Sequence, residues 1–226
     1  MKRLVVLSGA GMSAESGLAT FRDSGGLWEG HDVTAVASPE GWEENPGMVL
    51  AFYNERRRHA LQAKPNEGHK IVADMENFFD VTVITQNVDD LHERAGSTRV
   101  IHLHGSLFKS RSSIDTALTY DIMGDIMLGD TCDKGSQLRP DIVWFGEPVP
   151  LMETAAQITS KADIFVVVGT SMAVYPAAGL IHYTKPNAYV YIVDPRIPSV
   201  GHRDNLVFIE EKATVGMKKL QDLLCS

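Results

Sequence analysis

Cysteine is scarce in this sequence, which contains only Cys132 and Cys225. Two cysteines so far apart cannot form the disulfide framework of a small secreted protein. The chain also lacks an apolar run long enough to cross a membrane. In addition, the turn at Gly9 follows the first apolar residues too early for the core of a signal peptide. These absences predict a cytoplasmic protein with no membrane partner.

Positive charge is also limited, because 21 lysines and arginines face 29 acidic residues and the net charge is -8. Binding to a phosphate backbone requires a basic surface, so this balance argues against nucleic acid as a partner. It weakly favours cationic substrates that carry lysine. A chain of 226 residues is long enough for one large domain, or for one domain with a small lobe.

Apolar runs typical of buried strands alternate with segments of helical periodicity along the chain. This alternation predicts an α/β fold with a Rossmann-like, doubly wound parallel sheet. The predicted strands cover residues 4–7, 81–85, 100–104, 141–146, 164–168, 189–193 and 206–209. The predicted helices cover residues 46–63, 66–79, 152–160 and 215–224.

The sequence predicts a single domain over residues 1–226. Its Rossmann-like core would comprise roughly residues 1–30, 80–105 and 140–226. A helical insertion would occupy residues 31–79. Residues 106–139 have weak periodicity and few large apolar side chains, so we expect them to form a small inserted lobe.

Small or polar residues follow four of the predicted strands. Gly9, Gly11 and Ala14 match G-x-G-x-x-G/A, a turn that brings backbone amides close to a pyrophosphate. The other three strand ends carry Gln86 to Asp89, Gly169 to Ser171, and Asp194. Since these ends meet at one edge of a parallel sheet, they predict a dinucleotide site. Asp194 would accept hydrogen bonds from a ribose diol or, alternatively, serve as a turn residue before a proline.

Two histidines alternate near the end of a predicted strand, so His102 and His104 could face the same side. In one interpretation they hold a metal together with Asp89, Asp90 or His92. In the other, His104 is a general base for a sugar hydroxyl and His102 is structural. The neighbouring nucleotide site favours the second interpretation.

Tyr53 and Arg56 lie three residues apart on a predicted helix and therefore share a face. A guanidinium in an apolar pocket can bind a carboxylate through two charge-assisted hydrogen bonds, and the tyrosine can add a third donor. Alternatively, Arg56 to Arg58 form a solvated face.

Five segments, taken together, carry a family resemblance. They read GAGMSAESGLATFR, TQNVDDLHERAG, HLHGS, VWFGEPVP and GTSMAVYPAAGL. On these segments the chain resembles the sirtuins, NAD-dependent protein-lysine deacylases, across nearly its whole length. The resemblance implies NAD as cofactor and acyl-lysine proteins or peptides as substrates.

The resemblance also implies a role for particular positions. The catalytic residues would be His104, Asn87 and Asp89. NAD would contact Gly9, Ala10, Gly11, Ala14, Phe21, Arg22, Gln86, Asn87, Asp89, Gly169, Thr170, Ser171, Asp194 and Ala213. The acyl-lysine substrate would contact Tyr53, Arg56, Val143, Phe145 and Gly146. The segment around Val143 would pair with an extended peptide as an added strand.

The implied reaction begins with attack of the acyl oxygen on the nicotinamide ribose and loss of nicotinamide. His104 then takes a proton from a ribose hydroxyl, and the products are free lysine and O-acyl-ADP-ribose. The loop from Ala19 to Trp28 would close over the site as a lid. The motif F-Y-N-E-R resembles the branch that removes succinyl and malonyl groups, as does A-S-P-E at residues 37–40.

Two positions depart from the family pattern. Most sirtuins carry two Cys-x-x-Cys pairs in the lobe, whereas this lobe has only Cys132, so we expect no zinc. Asp194 stands where asparagine is frequent, and an ionised aspartate can only accept hydrogen bonds.

Other functions on the same fold remain open at this stage. One is an NAD hydrolase or ADP-ribosyltransferase, and another is a non-catalytic module that binds NAD or acyl-lysine. A metal hydrolase is the weakest alternative, because it leaves the glycine loop without a role. The oligomeric state is open, and a monomer is compatible with the sequence.

Overall fold

The computed structural model describes residues 1–19, 27–28, 30–198, 200–201 and 203–225. The strands are β1 (Arg3–Ser8), β2 (Leu27–Trp28), β3 (His31–Asp32), β4 (Asp80–Thr85), β5 (Val100–His102), β6 (Gly105–Ser112), β7 (Thr119–Asp121), β8 (Leu138–Ile142), β9 (Ile164–Val168), β10 (Tyr189–Val193) and β11 (Leu206–Ile209). The helices are α1 (Gly11–Ala14), α2 (Val33–Val36), α3 (Pro39–Glu44), α4 (Pro46–Gln62), α5 (Glu67–Asp74), α6 (Leu91–Ala95), α7 (Met152–Thr159) and α8 (Ala213–Cys225). Two 3₁₀ helices cover Met75–Asn77 and Ala177–Tyr183.

The main sheet consists of six parallel strands in the order β11-β10-β9-β1-β4-β5. Alternate side chains of β1 enter two different cores. Leu4 and Val6 pack with α5 and α8, while Val5 and Leu7 pack with α7 and the second 3₁₀ helix. Helices therefore cover both faces, as the near-continuous apolar strands require. The predicted doubly wound α/β fold is confirmed.

The small lobe contains an antiparallel sheet of three strands in the order β7-β6-β8. The expectation that residues 141–146 return to the main sheet is wrong, because β8 pairs with β6 in the lobe. An apolar run predicts a buried strand but not the sheet to which the strand belongs. The lobe therefore extends through Ile142, and the chain re-enters the main sheet at β9.

The predicted strand over residues 100–104 is also shorter than expected. Strand β5 ends at His102, and Gly105 begins β6. Gly105 has φ +83°, and a Cβ at this position would collide with the carbonyl oxygen of Asp141. Glycine is therefore required where the chain turns from the main sheet into the lobe. This turn leaves His104 in the connection between the two sheets.

The helical insertion packs against the lobe through a shared apolar core. Val49, Phe52 and Tyr53 of α4 contact the lobe side chains Leu107 and Ile142 within one cluster of buried residues. Proline begins α4 after an Asn45 cap, and α5 begins after an Asn66 cap. Among the helices of the described residues, none is long and apolar enough to cross a bilayer.

A buried cation also fastens the lobe to α4. The Arg57 guanidinium donates to the carbonyl oxygens of Leu107 and Gly124 and to Asn54 Oδ1. Asn54 Oδ1 in turn accepts from the Ile126 amide, and Asn54 Nδ2 donates to the Ile126 carbonyl. These bonds provide partners for backbone groups of the lobe, and buried polar groups need such hydrogen-bond partners.

Candidate functional site

The carboxyl ends of β1, β4, β9 and β10 open into one cavity of about 680 Å³. The cavity lies at the boundary between β1 and β9, where the chain continues from β1 to β4 on one side and from β9 to β10 on the other. This is the usual ligand position in an open α/β sheet. Eighteen of the predicted site residues line this cavity. They are Gly9, Ala10, Gly11, Ala14, Tyr53, Arg56, Gln86, Asn87, Asp89, His104, Val143, Phe145, Gly146, Gly169, Thr170, Ser171, Asp194 and Ala213.

The two remaining predicted residues, Phe21 and Arg22, lie outside the described residues. The same holds for most of the expected lid, residues 20–26 and 29. Their roles in closing over the nucleotide therefore stay predictions.

The glycine loop after β1 interlocks with the loop after β9. The Gly9 amide donates to the Val168 carbonyl at 3.0 Å, and the Gly11 amide donates to the Gly169 carbonyl at 2.8 Å. Gly169 has φ +62°, and a Cβ there would collide with the Met12 amide nitrogen. Glycine therefore permits both the backbone conformation and the close approach of the two loops. This contact shapes the wall of the cavity on the predicted nucleotide side.

The donor set on this side fits a dinucleotide. Ala10 and Ala14 have small side chains, which allow a ligand to approach the backbone here closely. Gln86 Nε2 donates to Thr170 Oγ1 at 3.2 Å, a bond that links the ends of two strands. Asp194 is buried at the end of β10, and its Oδ1 accepts from the Arg196 amide at 2.9 Å. A buried acid at this strand end is typical of ribose recognition.

The His104 ring is oriented by a hydrogen bond to the backbone. Its Nδ1 lies 3.1 Å from the Gln86 carbonyl oxygen, and since a carbonyl only accepts, Nδ1 carries the proton. Nε2 of the neutral ring is therefore the basic nitrogen. Burial lowers the pKa of His104 below the ordinary value for histidine, and the bond to Gln86 only partly opposes this effect. The side chain is suited to accept a proton near neutral pH.

The deacylation that the sequence resemblance implies should therefore persist on acidification to below pH 6.5, the ordinary pKa of histidine. Burial disfavours the imidazolium, so His104 stays an unprotonated base at a pH where an exposed histidine is largely charged. The measurement is a pH profile of kcat/KM for an acyl-lysine peptide at saturating NAD. An acid limb centred above pH 6.5 would contradict this assignment.

Asn87 and Asp89 are joined through Ser13. Ser13 Oγ donates to Asp89 Oδ2 at 3.0 Å and accepts from Asn87 Nδ2 at 3.1 Å. His69 Nδ1 accepts from the Asn66 amide, so its Nε2 carries the proton and faces Ser13 Oγ at 3.4 Å. Burial lowers the pKa of His69 to about 4, which keeps this ring neutral. The network holds both predicted catalytic side chains at the cavity wall.

Asp89 is itself deeply buried. Burial raises the pKa of its carboxyl above the ordinary value, against the opposing effect of hydrogen bonds from the Leu91 amide and Ser13. Perturbed carboxyls of this kind concentrate at functional sites.

His102 does not share the role of His104. Its Nδ1 faces the Asn87 carbonyl at 3.1 Å, and its Nε2 lies 2.6 Å from Glu93 Oε1. Although burial opposes it, the hydrogen bond and charge of Glu93 raise the pKa of His102 above the ordinary value. A charged ring that donates to two acceptors, one of them a carboxylate, has a structural role. This favours the interpretation in which His104 is the base and His102 is structural.

The structure does not support a metal site around these histidines. Within the described ranges, no group of three or more His, Cys, Asp or Glu side chains is arranged to hold a metal ion. In the lobe, Cys132 is a free thiol whose Sγ lies 3.1 Å from Ser136 Oγ. One thiol with serine neighbours does not fit the four ligands of a structural zinc.

The other end of the predicted site is formed by α4 and the segment after β8. Tyr53 is fully buried, and its hydroxyl oxygen accepts from Trp144 Nε1 at 3.0 Å. Burial strongly raises the pKa of Tyr53, so the hydroxyl stays protonated and can donate. The Arg56 guanidinium lies 5.6 Å from the centre of the Phe52 ring. A cation and a hydroxyl donor thus share the wall of the cavity that His104 also lines.

The segment from Val143 to Gly146 is anchored by its own amides. The Val143 amide donates to the His104 carbonyl at 3.0 Å, and the Phe145 amide donates to the Ala37 carbonyl at 2.9 Å. A peptide paired with this segment would therefore use groups other than these two amides.

Sequence reasoning left several lining residues without a role. Arg196 and Lys212 line the cavity just after β10 and β11. The rule that ligands bind beyond the carboxyl ends of parallel strands could have found both, as it found Asp194. His59 lines the cavity one helical turn after Arg56, and the shared helix face was the available signal.

A doubly wound sheet with a glycine loop, a buried strand-end acid and an adjacent histidine is the arrangement typical of Rossmann-type dinucleotide-binding proteins. The model of the Sir2 family matches residues 9–176. The chain belongs to the Sir2 family.

Known proteins similar to the chain cover nearly its whole length. The NAD-dependent protein deacylase of Bacteroides thetaiotaomicron is 52% identical over an alignment of 231 positions, which covers 99% of this chain and 98% of the relative. The NAD-dependent protein deacylase of Helicobacter pylori J99 is 50% identical over 224 residues, and the match covers 99% of this chain and 96% of the relative. A solved Sir2 homolog–NAD complex superposes with a TM-score of 0.89 at 37% identity, and the match covers 99% of this chain and 90% of the solved one.

Proposed function

We infer that this Sir2 family member is an NAD-dependent protein-lysine deacylase, and we propose that it prefers acyl chains that end in a carboxylate. The deacylase assignment rests on family membership and on relatives of about 50% identity that span the chain. The acyl preference rests on one observation, the presence of Arg56 and Tyr53 in the wall of the same cavity as His104.

Arg56 and Tyr53 offer the donors that a succinyl or malonyl carboxylate needs. The guanidinium can donate two charge-assisted hydrogen bonds, and the Tyr53 hydroxyl can donate a third. Apolar side chains line the cavity nearby, and they include Ala37, Ala60, Leu107 and Ile142. In such surroundings an ionic hydrogen bond is stronger than in water. An acetyl group has no carboxylate and gains none of this energy.

The chain's own groups supply proton transfer and orientation. When bound, NAD supplies the ribose carbon and hydroxyls to which the acyl group is transferred. His104 Nε2 accepts the proton of a ribose hydroxyl, with its ring held by the bond to Gln86. Ser13 holds the side chains of Asn87 and Asp89 in the wall of the cavity that His104 also lines. The expected closure of residues 19–28 would exclude water until the acyl group has moved.

The products of the reaction test this function. Incubation with NAD and a succinyl-lysine peptide should release one nicotinamide and one O-succinyl-ADP-ribose for each lysine freed, because each transfer consumes one NAD. A reaction without peptide serves as the control and should release almost no nicotinamide. Rapid nicotinamide release without peptide would instead identify an NAD hydrolase, and the absence of turnover with any acyl peptide would identify a binding module.

A further inference from the structure

Glu147, which follows the Val143–Gly146 segment, is the centre of a buried ion cluster. Its carboxylate accepts from Arg139 Nη1 at 2.8 Å, from Arg139 Nη2 at 3.1 Å and from Arg111 Nη2 at 3.0 Å. It also accepts from the Trp144 amide at 2.9 Å. The two carboxylate oxygens thus receive four hydrogen bonds, although the side chain is only 18% exposed.

The cluster joins the lobe sheet to the predicted substrate segment. Arg111 belongs to β6 and Arg139 to β8, while Glu147 and Trp144 follow β8 in the chain. Asp141 lies 3.9 Å from Arg111 Nη1, so two acids balance two guanidinium groups. Buried charges are stable only when they are paired in this way.

The cluster also reaches the acyl end of the cavity through Trp144. The Arg139 guanidinium carbon lies 3.2 Å from the centre of the Trp144 ring, a stacked cation–π contact. On its other side, Trp144 Nε1 donates to the Tyr53 hydroxyl oxygen. Since Nε1 can only donate, this bond directs the hydroxyl hydrogen of Tyr53 away from Trp144.

We propose that Glu147 is a positioning residue that fixes both the backbone and the ring of Trp144. Through Trp144 it also fixes the Tyr53 hydroxyl that recognises the acyl chain. One contact is direct, through the Trp144 amide. The other runs through Arg139, which Glu147 holds against the indole. The lobe sheet thereby sets the geometry of acyl recognition in a chain whose lobe lacks the residues for a zinc site. This inference rests on the proposed acyl preference.

Two variants test the proposal at different points of the chain of contacts. Trp144→Phe removes the indole donor but keeps an aromatic ring for Arg139. It should raise KM for a succinyl-lysine peptide about 10-fold, the effect of losing one buried hydrogen bond, with kcat changed less than about twofold. KM for an acetyl-lysine peptide should rise clearly less than KM for the succinyl peptide, and KM for NAD should stay within about twofold.

Glu147→Gln keeps the size of the side chain but leaves the two arginines without their shared anion. It should raise KM for both peptides by more than about 10-fold, because the Trp144 backbone also shifts, while the Kd for NAD stays within about twofold. Glu147→Asp, which restores the charge, should recover part of the affinity for the succinyl peptide. Asp115→Asn is the matched control, since Asp115 pairs with Lys134 on the lobe surface. It should leave all constants unchanged.

The outcomes separate this proposal from the proposed function. Wild-type enzyme without a preference for succinyl over acetyl peptide would overturn the proposed acyl specificity. A clear wild-type preference that Trp144→Phe leaves unchanged would overturn only the positioning role. If Glu147→Gln unfolds, Trp144→Phe still decides, and a loss of stability in Glu147→Gln with unchanged KM values would also contradict the proposal.

Discussion

Replacing Arg56 with methionine is expected to lower kcat/KM for a succinyl-lysine peptide by about 100-fold, since hydrogen bonds to charged groups contribute about 1.5–3 kcal/mol each. Methionine keeps the length and the packing of the side chain but provides no donor for a carboxylate. Deacetylation should change by less than about threefold, because an acetyl group makes no use of the guanidinium. Steady-state kinetics with both peptides at saturating NAD measure the two effects.

Arg58→Met is the matched control for this substitution. Arg58 lies on the same helix, but its side chain is 54% exposed and pairs with Asp125 on the surface. An exposed pair contributes little energy, so both activities should stay close to wild type. An equal loss of desuccinylation and deacetylation in Arg56→Met would refute the recognition of the acyl carboxylate by Arg56, because it would show a general disturbance of the site.

Replacing His104 with glutamine is expected to lower kcat by about 10² to 10⁴-fold, the usual contribution of a general base. Glutamine can still donate to the Gln86 carbonyl, so the local structure should be retained. The Kd for NAD, measured by calorimetry, should therefore change little.

His102→Gln provides the comparison for His104. His102 forms an ion pair with Glu93 and does not line the cavity. Its pKa is raised in the folded protein, so the ion pair stabilises the fold below the ordinary pKa of histidine. The stabilisation is lost as the pH rises through the folded pKa. His102→Gln should thus lose stability at acidic pH while most of the turnover remains. Similar losses of kcat in both variants would contradict the assignment of His104 as the base.

Most of the main sheet could be predicted from the sequence, because its central strands are largely buried on both faces. The run Ile164–Val168 is apolar throughout and matches β9 residue for residue. The edge of the sheet that borders the cavity could equally be predicted from the sequence, since Gly9, Gln86 and Gly169 directly follow such strands. Local patterns suffice when every residue of a strand has the same surroundings.

The lobe could not be predicted in the same way. Strand β8 has only two apolar residues, with Arg139, Pro140 and Asp141 between them. Its partner β6 is about 30 residues away in sequence. Pairing between such strands depends on long-range contacts that periodicity does not reveal. The cluster around Glu147 is a further case, because Arg111 and Arg139 read as surface charges until the fold buries them.

The roles of the two histidines also needed the structure. The spacing of His102 and His104 is compatible with a shared face, a metal pair or a single base. What separates them is the end of β5 at His102, which gives His104 a different carbonyl partner and a place in the cavity wall. That end depends on the turn at Gly105 and on pairing with β8.

The central claim is that the cavity recognises an acyl carboxylate, and a competition between two peptides tests it most directly. Succinyl-lysine and acetyl-lysine forms of one peptide are mixed in equal amounts with wild-type enzyme and limiting NAD, and the consumption of each acyl peptide is quantified by mass spectrometry. Recognition of the carboxylate predicts that at least about ten times more succinyl peptide than acetyl peptide is consumed, in line with one or more charge-assisted hydrogen bonds. Equal consumption of the two peptides, or a preference for the acetyl form, would contradict it.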